Sequence, residues 1–145
     1  MLSYVAVKPY EIIEHTADIG VRGFGRTREE LFTHLAQGMF SLMVPPEEIR
    51  ATERTTVVIR SNGWDNLLIS WLKDLLYLFD TRRFLGREFS LTTLEPNRLE
   101  AVVSGERLDD RRHHVNKEVK AVTYCDYRLE QDPSGLWIAQ VIFDI

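Results

Sequence analysis

The sequence predicts an α+β fold: two helices and a mainly antiparallel sheet. Three observations predict it. Two stretches carry apolar residues at helical spacing, the first behind a capping signal. Two polar breaks, Glu95-Pro96-Asn97 and Gln131-Asp132-Pro133-Ser134-Gly135, read as hairpin turns. Around them the chain is rich in short extended stretches, about seven in all.

Composition narrows the class. The chain has 145 residues, 44% hydrophobic and 28% charged. That suits one domain over residues 1–145 and excludes a disordered or collagen-like chain. Eighteen Lys and Arg against 22 Asp and Glu leave a net charge of −4. A protein that coats nucleic acid is normally basic, so RNA contact would need a local patch or a partner protein, and DNA contact is not expected. The single cysteine, Cys125, excludes a disulfide framework and any zinc site built on paired cysteines. The first residues lack the pattern of a signal peptide. The most apolar stretch, 64–79, is broken by Asp65, Lys73 and Asp74 and is shorter than the roughly 20 residues that span a bilayer. A soluble, intracellular protein of the cytoplasm with no membrane partner is expected.

The elements follow in order. Residues 10–14 are a first strand. Residues 18–24 are a second, where Gly20 and Gly23, with Gly25 just beyond, mark close backbone approach. Thr27 with Glu30 is a capping box, and Leu31, Phe32, Leu35, Ala36, Met39, Phe40 and Met43 form one helical face behind it. Pro45 and Pro46 stop that helix. Residues 54–60 form a strand, and Ser61-Asn62-Gly63 turns into a second helix with Asn62 or Asp65 as cap. Its apolar residues from Leu67 to Phe79 cover most of the circumference, so it is the central core helix. Residues 87–94 and 98–103 make one hairpin, 104–116 a polar loop, and 118–129 with 136–144 the second hairpin.

The last hairpin carries a register argument. Trp137, Ala139, Val141 and Phe143 share one face, as do Val119, Ala121, Thr123, Cys125 and Tyr127. Matching faces must meet, because a slip of one residue swaps every side chain to the other side. Odd positions then pair with odd, Thr123 lies near Val141, and Lys120 falls close to Asp144 on the other face. Cys125 reads as a buried thiol.

Candidate chemistry is sparse. The Asp144 side chain and the Ile145 carboxylate are two anionic oxygen groups one residue apart, which suits a hard divalent cation; the plainer reading is a frayed end. His15-Thr16-Ala17-Asp18 offers a His and an Asp for a metal or proton transfer, or simply a turn. His34, inside the first helix, reads as structural or exposed. His113 and His114 make a weak metal pair, since neighbours in extended chain point apart. Arg82, Arg83 and Arg87 form one basic cluster, and Arg107, Arg111, Arg112 and Lys117 belong to another. Both read first as solvated surface and second as phosphate contacts. Lys120 either blunts a strand edge or pairs with Asp144.

Four segments together resemble the archease family. They are Glu14-His15-Thr16-Ala17-Asp18-Ile19-Gly20, the core helix closing on Leu75-Leu76-Tyr77-Leu78-Phe79, Glu118-Val119-Lys120-Ala121-Val122-Thr123-Tyr124, and Val141-Ile142-Phe143-Asp144-Ile145. The resemblance runs from Tyr10 to the last residue. It implies two strand-helix-strand-strand modules, one inserted in the other. It also implies a non-catalytic accessory protein of the RtcB-type RNA ligase, which joins tRNA halves. The accessory protein promotes guanylylation of the ligase, allows multiple turnover and can broaden its nucleotide use, so tRNA is met indirectly. The family's metal ligands carry over to Asp18, Asp144 and the carboxylate of Ile145, with calcium the expected ion. His15 and Lys120 carry over as partner-binding or functional residues. The chain departs from the family pattern at Gly20, Arg22 and Cys125, the last standing where His is often found. Two other functions compete: a metal-binding, chaperone-like adaptor for RNA-processing enzymes, and a metal-dependent hydrolase, which lacks an obvious general base beyond His15.

Overall fold

The computed structural model describes residues 7–14 and 17–145. The elements among them are β1 (Tyr10–Glu14), β2 (Asp18–Gly25), α1 (Arg28–Met43), β3 (Glu53–Arg60), α2 (Trp64–Arg82), β4 (Phe84–Glu95), β5 (Arg98–Arg107), β6 (Ala121–Gln131) and β7 (Trp137–Asp144), with a 3-10 turn at Pro46–Glu48. The α+β expectation holds, but the strands divide into two sheets. One has the order β1-β2-β7-β6 and the other β3-β5-β4, and every pairing is antiparallel. Two strand-helix-strand-strand units are visible in this order. The chain runs β2-α1, then the whole of β3-α2-β4-β5, then β6-β7. In each unit the third strand lies between the first and the second.

The capping box starts α1. Thr27 Oγ1 accepts the Glu30 N–H at 3.1 Å, and Glu30 Oε1 reaches back to accept the Arg26 N–H at 3.1 Å. The predicted apolar face of α1 is entirely buried. The β2 glycines explain its close seat. A Cβ at Gly23 would stand 2.7 Å from Leu35 Cγ, and one at Gly25 would stand 2.5 Å from the Leu31 backbone nitrogen. The helix ends at Val44, whose N–H reaches Phe40 O before the two prolines.

In α2, Leu67, Leu68, Ile69, Trp71, Leu72, Leu75 and Leu76 are buried. Its start corrects the sequence reading: Gly63, at φ 99°, is the N-cap and no side chain caps it. Asn62 instead accepts from Asn66 Nδ2 at 2.8 Å. Trp71 Nε1 donates to Phe32 O of α1 at 3.0 Å within the core. Both helices and both sheets feed one continuous apolar cluster. Among the described residues no helix is long and apolar enough to cross a membrane.

The β4–β5 hairpin turns at Pro96-Asn97 as predicted, but β5 continues to Arg107 through residues assigned to the loop. Polar Ser104 and Glu106 hid that extension.

The second hairpin departs from the predicted register. Near the turn odd pairs with odd, as in Leu129↔Ala139 and Gln131↔Trp137. Farther along, Thr123 lies opposite Ile142 and Ala121 opposite Asp144. The shift lies between Thr123 and Arg128, where β6 spends more residues than β7. Asp126 there adopts a left-handed φ of 48°. A bulge of this kind inverts which side chains face inward. Val122 is buried against Phe143, while Cys125 is exposed and not a core thiol.

Candidate functional site

Asp18 opens β2 and Asp144 closes β7, and the two are direct cross-strand partners. Direct partners on antiparallel strands present their side chains on the same face. Ile19 and Phe143, the next pair along, are both buried, and strand alternation puts the two carboxylates on the opposite face of the sheet. Asp18 is half-buried and Asp144 exposed. Asp18 Oδ1 is buried and meets no hydrogen-bond partner among the described residues. Two like charges directly opposite are unfavourable, and a buried unpaired carboxylate oxygen is costly. A cation between them would answer both.

The end of the chain is held rather than frayed. Asp144 is flanked by Asp18 on one side and Ala121 on the other. The Lys120 N–H donates to Asp144 O at 2.8 Å, and Ile145 packs on the core. The register places Ala121 opposite Asp144, so Lys120 meets Asp144 through its backbone, and no ion pair joins them among the described residues. The bulge in β6 is the physical cause of this difference from the sequence expectation. His15 lies outside the described residues. No group of three or more His, Cys, Asp or Glu side chains able to hold a metal occurs among the described residues. The expected third anionic group, the Ile145 carboxylate, is not a side chain. Asp18, Asp144 and the Ile145 carboxylate are the groups that could hold a metal here, all of them hard oxygen donors.

A second polar cluster lies at the start of the 108–120 segment and was not legible in the sequence. Glu106 and His113 are both buried. Glu106 Oε2 accepts the Arg50 N–H at 2.6 Å and lies 3.1 Å from His113 Nε2, and Glu106 also pairs with Arg112. His113 Nδ1 accepts the Asp109 N–H at 2.9 Å, so Nε2 carries a proton and donates to Glu106. Burial pushes the Glu106 carboxyl up, but the Arg50 N–H, Arg112 and His113 outweigh it and hold it below the usual range. His114 turns the other way, its N–H and Nδ1 both meeting Glu48, and its N–H foremost holds the Glu48 carboxyl low. The two histidines point apart as predicted, and Arg112 is bound internally rather than free for phosphate. His34 is structural, its Nδ1 2.5 Å from Phe24 O.

Comparison with known proteins bears on what this geometry serves. The model of the Archease protein family matches residues 10–145. Protein archease of Pyrococcus abyssi is 36% identical over 142 residues, covering 96% of this chain and 100% of that protein. Protein archease of Thermococcus gammatolerans is 39% identical over 142 residues with the same coverage. The solution structure of Methanobacterium thermoautotrophicum protein 1598 superimposes with a TM-score of 0.81 at 31% identity, covering 96% of this chain and 100% of that one. A Thermotoga maritima structure described as an archease and possible chaperone shares the fold at TM-score 0.64 and 22% identity, covering 99% of this chain and 100% of that one.

Proposed function

Because the chain belongs to the archease family, we propose that it is a non-catalytic activator of an RtcB-type tRNA-splicing RNA ligase, promoting guanylylation of the ligase and multiple turnover. Broader nucleotide use by the ligase belongs to the same reading. The observation that carries the proposal is the Asp18–Asp144 pair, with a buried Asp18 oxygen that meets no partner among the described residues. Asp18, Asp144 and the Ile145 carboxylate would hold a divalent cation, calcium by the resemblance. When bound, that ion supplies positive charge that neutralises the carboxylates and can attract anionic groups. The chain itself supplies a pre-set frame: strand pairing on both sides of Asp144, a seated Ile145, and the Lys120 N–H on Asp144 O. This end of the molecule would meet the mouth of the ligase active site and help arrange its metals or GTP. A cytoplasmic location follows from such a partner.

The test is multiple-turnover ligation by an RtcB-type ligase from the same source, with GTP and metal, with and without this protein. More product per ligase and faster GMP loading are expected. Asp18→Ala and Asp144→Ala should each abolish the gain while remaining folded. Full stimulation by both variants would remove the metal site from the mechanism. No stimulation by the wild-type protein would favour a chaperone-like adaptor for other RNA-processing enzymes.

A further inference from the structure

The first residues of α1, α2 and β7 meet at one point. The Arg28 guanidinium lies over two indoles, its Cζ 4.2 Å from the Trp64 ring centroid and 4.2 Å from the Trp137 ring centroid. Trp64 is braced edge-on by Phe32, ring centroids 6.4 Å apart, and both tryptophans pack on the core. Two aromatic rings thus hold the Arg28 guanidinium. Its Nε is buried and has no partner among the described residues. Nη1 and Nη2 are not among the buried unsatisfied atoms, and no hydrogen bond or ion pair holds them among the described residues. The open edge of Arg28 is therefore this terminal fork. Nearby acids do not close it. Glu30 is taken by the Arg26 N–H and Asp65 by the Tyr127 hydroxyl, and Glu29 is exposed.

A guanidinium held by aromatic rings, its terminal fork without a partner among the described residues, matches one ligand geometry well: an oxyanion taken end-on by two parallel N–H donors. Stacking prepays the side-chain ordering that an exposed arginine loses on binding. We propose that Arg28, clamped by Trp64 and Trp137, is a docking point for an aspartate or glutamate side chain of a partner protein. A single carboxylate fits better than a nucleic-acid backbone. The chain carries a net charge of −4, and Glu29 and Asp65 stand beside the clamp residues in sequence, so a polyanion meets repulsion that a lone carboxylate largely escapes. Tryptophan and arginine in a fixed, partly dry setting are also the residue types that dominate binding energy at protein interfaces.

The partner used in the test rests on the ligase reading above. Affinity of the full-length protein for the ligase is measured by titration with wild type, Arg28→Lys and Arg28→Gln, alongside thermal melting of each. Lysine keeps the charge and a cation–π attraction but loses the planar stack and the fork; glutamine loses the charge. Binding at least tenfold weaker for both is expected, with melting close to wild type and full stimulation recovered at saturating concentration. Wild-type affinity in both variants overturns the docking assignment and leaves the activator reading intact. Loss of stimulation that saturation does not recover also overturns it, since the clamp would then act on turnover. If Arg28 instead governs binding of a single-stranded RNA oligonucleotide while ligase affinity is unchanged, the site is a nucleic-acid contact and the proposal falls. A wild-type protein that neither binds nor stimulates the ligase removes the activator reading and this assignment together.

Discussion

Asp18 and Asp144 stand directly across from each other on β2 and β7, two carboxylates in positions where a sheet normally places opposite charges or apolar pairs. Without a cation the pair is a cost. Asp18→Asn should therefore stabilise the metal-free protein by about 0.5 kcal/mol. Calcium at about 100 times its Kd should stabilise wild type by about 2.7 kcal/mol, raising Tm by roughly 5–10 °C. The variant should lose that gain. Melting curves in chelator and in calcium check both signs at once, and equal calcium response in wild type and variant would place the ion elsewhere.

Gly25 sets how closely α1 lies on β2. A Cβ there would stand 2.5 Å from the Leu31 nitrogen and 2.8 Å from Thr27 O, both backbone atoms that cannot rotate away. Gly25→Ala should cost roughly 2–3 kcal/mol, read as a lower urea midpoint at unchanged slope. A shift under about 0.5 kcal/mol would mean the helix start moves freely.

Cys125 tests the bulge in β6. The bulge leaves Cys125 exposed and Val122 inward, whereas an unbroken strand would bury the thiol. One equivalent of a thiol reagent such as DTNB should therefore react with the native protein about as readily as with the urea-unfolded one. Strong protection in native buffer would restore the unbroken register.

Residues that signal locally were legible in the sequence. Thr27 and Glu30 start α1, Pro45 and Pro46 stop it, and Pro96-Asn97 turns a hairpin, each through its own backbone chemistry. The β6 register was only half legible, because strand alternation carries no sign of a bulge that depends on Asp126 adopting positive φ. The site was legible in the same uneven way. Asp144 and Ile145 are neighbours in the chain, but Asp18 joins them only through β2–β7 pairing, and the family resemblance was what connected it. Glu106 with His113, and Arg28 with its two tryptophans, assemble from separated segments and left no spacing pattern to read.

Glu106 makes stability depend on acid. Its carboxylate is held below the usual range by the Arg50 N–H, Arg112 and His113 acting against burial. A carboxyl whose folded pKa is depressed contributes stability above its unfolded value, here near 4.5, and loses it as pH falls through the folded value. The expected profile is flat from this group near neutrality and falls below about pH 4.5. Glu106→Gln should lower stability at pH 7 by about 2–3 kcal/mol, because Arg112 and His113 lose a charged acceptor. It should also flatten the acid limb, so the two proteins converge as pH falls. Urea midpoints at a series of pH values check this, and a constant gap between them down to pH about 3 would remove Glu106 as the titrating group.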